Sequence, residues 1–330
     1  MGIINKLSTL LNKQKKSKII IFIIILFFIF ALFFSLYMFK TSRALRVRYI
    51  DLEFEDLPKS FDNIKVALAS DIHSGLYIPI SHIQKMSDMI TENKPDIILF
   101  IGDYIYSAPR WFKYHNKKNI HRLSEGIKNL EAPLGKYAVL GNHDNYESKI
   151  DVSNAMHSNN FKMLDNNIIF ITNEIGEYIS IGGVGDFMTD DVKFDLATKN
   201  VKINDFNILL SHEPAAPLAI AKKEGYNELI DFFVCGHTHG MQISFIPMPL
   251  IERLNKNRDY PLTTIYGNMQ SGKMKIYVSS GVGVVLLPFR LFAYPEVVIA
   301  TLRSKKWFNK IQIYYTNYFY NILFYRIFFF

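Results

Sequence analysis

Three histidines sit in two short motifs in the second half of this chain. His212 lies in Ser211-His212-Glu213-Pro214, and His237 and His239 lie in Gly236-His237-Thr238-His239-Gly240. Upstream, Asp71-Ile72-His73, Gly102-Asp103 and Gly141-Asn142-His143-Asp144 add carboxylate, amide and imidazole donors. Hard oxygens and neutral imidazoles suit Mn, Fe and Zn. The donors are numerous enough for two ions. Two such metals, about 3.5–4 Å apart, can share a hydroxide and grip both ends of an in-line displacement at phosphorus. The chemistry expected is metal-assisted attack of water on a phosphate ester. No serine or cysteine nucleophile is needed. The single cysteine, Cys235, ends an apolar run and reads as a small core residue. His82, His115, His121 and His157 lack ligand-like neighbours and read as surface or helix residues.

Such donors must be carried to one place by regular elements. Short apolar runs precede each motif: residues 66–68 before Asp71, 97–101 before Asp103, 137–140 before Asn142, 208–210 before His212 and 232–234 before His237. Bounded by Gly, Asp, Asn or Pro, they read as buried strands. In α/β sheets, ligands gather past the carboxyl ends of strands, so five motifs at five strand ends can converge. Residues 41–57 read as a linker and first strand. A helix is expected over residues 81–91, capped by Ser81 and stopped before Pro95. A second is expected over 124–130, with Leu123, Ile127 and Leu130 on one face. Residues 106–121, rich in Lys, Asn, His and aromatics, read as an exposed lid that would hold His115. The Gly-rich stretch 181–186 reads as a tight turn after a strand rather than a phosphate loop.

The ends of the chain differ from its middle. Residues 19–39 carry no charged side chain, and about 20 apolar residues in a helix span a bilayer core. The run lies between Lys6, Lys13, Lys15, Lys16 and Lys18 on one side and Lys40, Arg43, Arg46 and Arg48 on the other. A cleaved signal peptide would have a shorter apolar stretch and small residues at its end. An uncleaved transmembrane anchor is therefore expected. The basic clusters lean only slightly toward an N-terminus inside, with the catalytic domain outside the cytoplasm. Net charge is +8. Because much of the excess flanks the apolar run, it reads as membrane-surface chemistry and not as a nucleic-acid footprint. The final 24 residues, 307–330, hold twelve aromatics. They read either as a second membrane contact or as an aromatic element packed on the domain.

The ordered set D-x-H, G-D, G-N-H-D, S-H and G-H-T-H-G resembles the calcineurin-like metallophosphoesterase superfamily. The likeness runs from Val47 to Leu302. Its last part, with residues 277–283, Leu287-Pro288-Phe289-Arg290 and Tyr294-Pro295-Glu296, is similar to the membrane-attached bacterial YkuE-like branch. The resemblance implies an α/β fold, a four-layer αββα sandwich of the metallo-dependent phosphatase type, with an N-terminal transmembrane helix. Four segments are then expected: a basic segment 1–18, the anchor 19–39, the catalytic domain 40–302 and an aromatic tail 303–330.

Carried over residue by residue, the resemblance implies that Asp71, His73 and His239 hold one divalent ion (Mn, Fe or Zn). Asn142, His212 and His237 would hold the second, with Asp103 between them. His143 would stay off the metals and act as general acid at the phosphate or leaving-group oxygen, its imidazole oriented by Asp144. Met241 stands where this branch usually has a second glycine, which bears on the rim of the pocket. Arg290 would bind substrate or form a structural ion pair. The substrate implied is a phosphodiester or pyrophosphate, lipid-linked or not. A narrower reading, UDP-2,3-diacylglucosamine hydrolysis in lipid A synthesis, needs a cytoplasm-facing domain. A scaffold that had lost catalysis would be expected to lack ligands, and none is missing.

Overall fold

The computed structural model of this chain describes residues 2–107, 116–255 and 265–305. The helices are α1 (Gly2–Ser42), α2 (Ile80–Glu92), α3 (Asn116–Ile127), α4 (Asn142–Ser158), α5 (Phe194–Ala197), α6 (Ala215–Lys223) and α7 (Met248–Asn255). The first six strands are β1 (Arg46–Phe54), β2 (Ile64–Ala69), β3 (Ile97–Ile101), β4 (Lys136–Val139), β5 (Phe161–Met163) and β6 (Asn167–Thr172). The rest are β7 (Tyr178–Gly183), β8 (Asn207–Ser211), β9 (Phe232–Cys235), β10 (Gly267–Ser271), β11 (Met274–Val278) and β12 (Glu296–Ser304).

Among the described residues these strands form two six-stranded mixed sheets. One has the order β1-β12-β2-β3-β4-β5, the other β10-β11-β9-β8-β7-β6. In β3 all five residues, Ile-Ile-Leu-Phe-Ile, are buried, as a strand covered on both faces requires. In β1, Ile50, Leu52 and Phe54 point inward while Asp51 and Glu53 point out. The layer between the sheets joins Phe54, Leu68, Leu99 and Val139 to Ile181, Phe206, Ile208 and Phe232. The Phe54 ring meets Phe206 edge-on at 5.0 Å. The outer face of the first sheet is covered by Ile83, Met86 and Ile90 of α2, Leu123 and Ile127 of α3, and Val152 and Met156 of α4. That of the second is covered by Phe194 and Ala197 of α5 and Leu218 and Ala221 of α6. The αββα layering follows.

Two local expectations need correction. Helix α2 starts at Ile80 with Pro79 in the N-cap position, not Ser81. Proline's ring presets an extended entry, and no side-chain cap bond is made. Helix α3 begins at Asn116, so residues 116–121 are helical rather than part of a loop. Ile120, Leu123 and Ile127 share one face packed on the first sheet, and this burial outweighs the polar composition of the first turn. The remainder of the expected lid, residues 108–115 with His115, lies outside the described residues, as does the aromatic tail from residue 306 on. Helix α1 runs past the apolar run to Ser42 and β1 follows four residues later. Its stretch Lys15–Ser42 is long and apolar enough to cross a membrane, and none of its most apolar window is buried against the protein.

Gly182 of β7 shows how closely the second sheet meets its helices: a Cβ there would collide with the carbonyl oxygen of Ala197. Gly182→Ala is expected to cost about 1–3 kcal/mol, the usual scale of overpacking. Its thermal unfolding, followed by near-UV circular dichroism on the detergent-solubilised chain, should come at a lower temperature while bound metal stays unchanged.

Candidate metal centre

The carboxyl ends of β2, β3 and β4 in one sheet, and of β8 and β9 in the other, meet at one edge of the sandwich. Asp71 and His73 leave β2, Asp103 leaves β3, and Asn142 and His143 open α4 after β4. His212 follows β8, and His237 and His239 follow β9. The chain turns abruptly at each exit. Asp71, His73, Asp103, His237 and His239 all have positive φ, between 49° and 67°. Non-glycine residues in this region cost of order 1–3 kcal/mol each and persist where surrounding structure over-determines them. Glycines make room beside them: at Gly102 (φ +77°) a Cβ would stand 2.6 Å from His212 Nδ1, and at Gly236 2.6 Å from Asp71 Oδ2.

The side chains form three overlapping groups: Asp71, His73 and His239; His73, Asp103 and His143; and Asp103, His212 and His237. Within each, one ligand atom per residue lies within 4.8 Å of the others. Asp103 is the link. Its Oδ2 stands 3.1 Å from His212 Nε2 and 3.6 Å from His73 Nε2. His73 Nε2 and His239 Nε2 are 3.0 Å apart, with Asp71 Oδ1 3.4 Å from the latter. His237 Nδ1 faces His212 Nε2 at 3.3 Å. The ring of His212 is fixed from behind by its Nδ1, 2.8 Å from the Ile101 carbonyl.

The electrostatics call for added positive charge. Burial pushes Asp71 up to about 6. Burial would also raise Asp103, but His212, His73 and His143 hold it well below the usual carboxylate range. Burial lowers His73 to about 3 and pushes His237 and His239 down as well, so all three present neutral rings. His212 is the exception: burial opposes its charge, and Asp103 overrides this and raises it well above the imidazole range. Asn142 is buried and its Oδ1 has no hydrogen-bond partner. A buried acceptor left unmade is costly. Converging neutral nitrogens, buried carboxylates and this orphan oxygen are the donor set that divalent ions of the Mn, Fe or Zn kind take. The residues fit the metal ions they would hold.

Two expected roles look different at this edge. Asp144 does not reach the His143 ring. Its carboxylate accepts from the backbone N–H of Tyr104 (2.8 Å), Ile105 (3.1 Å) and Gly141 (3.0 Å), capping α4 and pinning the loop that follows Asp103. An N3 carboxylate serves the helix start before anything else. Ser107 touches the ring instead, with Oγ 2.5 Å from His143 Nδ1. Arg290 is fully buried and reaches neither open solvent nor a carboxylate partner. Its guanidinium donates to the carbonyls of His239, Ser280, Gly281, Gly283 and Ala293, and Nη2 lies 3.2 Å from His239 Nδ1. It braces the His239 ring from behind. Neither Ser107 nor this use of Arg290 was visible in the sequence, because both contacts join distant segments.

The other histidines sit as expected where they are described. His82 is inside α2, its Nε2 3.2 Å from the Val282 carbonyl, while His121 and His157 are exposed on helices. Cys235 is fully buried and burial raises its thiol well above the ordinary range, which leaves it inert. Two further buried carboxyls, Asp186 and Glu213, were missed. Burial, and the neighbouring Glu213, push Asp186 near His212 up to about 7. The turn at residues 181–186 holds Asp186 there.

Known proteins resemble this chain. Residues 64–241 match the family model described as calcineurin-like phosphoesterase. The chain is 31% identical over 254 residues to the metallophosphoesterase YkuE of Bacillus subtilis (strain 168), across 75% of this chain and 82% of that one. A metallophosphoesterase of Aquifex aeolicus (strain VF5) is 31% identical over 270 residues, across 79% and 93%. The UDP-2,3-diacylglucosamine pyrophosphatase LpxG of Chlamydia muridarum (strain MoPn / Nigg) is 24% identical over 299 residues, across 74% and 85%.

Asp103→Asn keeps the shape of the linking side chain and removes its charge. It is expected to weaken metal binding by more than about tenfold, the scale seen even for lost outer-sphere partners. Metal content by plasma mass spectrometry should fall while far-UV circular dichroism is retained; undiminished metal content would remove Asp103 from the ligand set.

Proposed function

This chain belongs to the calcineurin-like metallophosphoesterase superfamily, in its YkuE-like branch, and is a metal-dependent phosphoester hydrolase; we propose that it works as a two-metal phosphodiesterase or pyrophosphatase anchored in a membrane by α1. The observation that carries this reading is the position of Asp103, whose single carboxylate faces imidazoles from both sheets. Asp71, His73 and His239 would hold one divalent cation, and Asn142, His212 and His237 the other, with Asp103 shared. When bound, such cations polarise the phosphoryl group and make a water acidic enough to attack it at neutral pH.

The chain's own residues do the rest. Burial keeps the imidazoles of His73, His237 and His239 neutral and excludes bulk water from their lone pairs. The Asp144 carboxylate fixes the loop after β3 and the start of α4, which sets Asp103 and Asn142 relative to each other. His143 is partly exposed and stands 4.8 Å, ring to ring, from His73. Its Nδ1 is engaged by Ser107, so its Nε2 is the atom left to hold a proton for the leaving oxygen. Arg290 fixes the rear of the His239 ring and thereby its lone-pair direction.

A second reading, UDP-2,3-diacylglucosamine hydrolysis, draws on the chlamydial relative and on an anchor suited to an acylated substrate. It requires the domain to face the cytoplasm, whereas the basic flanks of α1 lean slightly the other way.

His143→Gln is expected to keep its metal and lose about 100-fold in kcat, the lower end of the scale for a lost general acid. A parallel loss of metal would make it a ligand. Chelation should abolish turnover and added Mn restore it. With the full chain in detergent and Mn, turnover of UDP-2,3-diacylglucosamine is set against that of an aryl phosphodiester. Efficient cleavage of the UDP-lipid supports the second reading, and turnover of the aryl ester alone supports the first.

A further inference from the structure

Two segments that leave the metal centre carry apolar side chains into the open. The first follows His239 and exposes Met241, Phe245 and Ile246 before entering α7, where Leu250 is exposed. The second follows Gly283, whose neighbour Gly281 packs on Asp71, and exposes Leu286 and Leu287. Phe245 is 82% exposed and Leu286 70%. These loops are held together from within. Gln242 Nε2 donates to the carbonyls of Val285 (2.9 Å) and Leu287 (3.0 Å), and its Oε1 accepts from Val285 N (2.8 Å). Ser244 N donates to the Leu291 carbonyl and Leu291 N to that of Gln242. Backbone polar groups are therefore satisfied inside while bulky apolar side chains face out.

The second segment is also tied to the end of α1. Arg290 N donates to the Met38 carbonyl at 3.1 Å, and Ser42 Oγ donates to the Pro288 carbonyl at 3.0 Å. Met38 lies inside the uncharged run of residues 19–39. The loop therefore reaches the depth of the last turn of that run, one residue from its end, at about 1.5 Å of rise per residue. Exposed apolar groups gathered in one patch mark an interaction site. On the same flank, Arg46 and Arg48 line a cavity of about 340 Å³ with Tyr266, Tyr294 and Met248. Lys40 lies at the end of α1 and is exposed, as is Arg253 of α7.

We infer that this flank is a second membrane contact, in which Met241, Phe245, Ile246, Leu250, Leu286 and Leu287 seat in one leaflet of an anionic phospholipid bilayer beside α1. The inference rests on the reading of α1 as a membrane span. Apolar side chains enter the acyl boundary and the basic residues meet anionic headgroups. The metal centre then opens at headgroup depth, and the substrate class is a phosphoester borne by an amphiphile whose apolar part stays in the leaflet.

The test uses the full chain in vesicles of phosphatidylcholine and phosphatidylglycerol carrying a nitroxide on the acyl chain. Phe245→Cys and Leu287→Cys each receive a nitrobenzoxadiazole label; Cys235 is buried and does not compete. Ile175→Cys, in the turn between β6 and β7 at the opposite ends of the strands, is the reference. Vesicle flotation is measured first, and bound metal is measured on the same samples. The expected result is flotation, with labels at 245 and 287 quenched several-fold more than at 175. Flotation with equal quenching at all three sites overturns the inference and leaves the anchor reading standing. Blue-shifted emission without nitroxide quenching would assign the flank to a protein cover, either residues 306–330 or a second copy, and also overturns it. Failure to float overturns anchor and inference together, while retained metal content keeps the hydrolase reading separate.

Discussion

A single buried carboxylate, Asp103, organises this molecule. Isolated in an apolar interior, an ionised carboxylate is expensive. Here it is faced by His73, carried by its own sheet, and by His212, carried by the other. The interaction crosses the seam of the sandwich, so the two sheets must meet in one register at this edge for the charge to be compensated at all. The surrounding strain is intelligible in the same terms. Five donors in left-handed backbone conformations are tolerated because the packed layers on either side leave the chain no other exit.

The donor set was legible because each motif is local. A short buried strand, a turn and one or two polar residues carry their meaning within about ten positions, and the pattern of apolar runs places them all at strand ends. The layers were legible through the family resemblance. The contacts that the sequence did not disclose are those between segments far apart in it. Asp144 was expected at the His143 ring, three residues into a helix whose unpaired N–H groups had a stronger claim on it. Ser107 reaches His143 across 36 positions, and Arg290 reaches His239 across 51. No periodicity encodes such pairs. Composition misled at residues 116–121, where a polar surface hid a helix whose buried face has only a few apolar residues.

Met241 illustrates how sequence and structure meet. The resemblance implied a glycine at this position, and the structure holds Met241 at φ 65°, a conformation that suits glycine. The left-handed turn is imposed by the need to bring His239 back under Arg290 and then send the chain outward. The side chain that results is exposed at the mouth of the site. A side chain held at a backbone cost thus adds apolar surface to the rim.

The strand order of the first sheet has a consequence for how the chain is made. β12 lies between β1 and β2, parallel to one and antiparallel to the other, although it follows both by most of the length of the domain. Such pairing is distant in sequence and therefore slow to nucleate. On a ribosome that adds about 5–20 residues per second, β1 waits on the order of tens of seconds for β12, its neighbour among the described strands. Throughout that interval α1 has already emerged while the strand joined to it is an open edge. Early capture of the helix by a bilayer would keep that edge from pairing with other nascent chains.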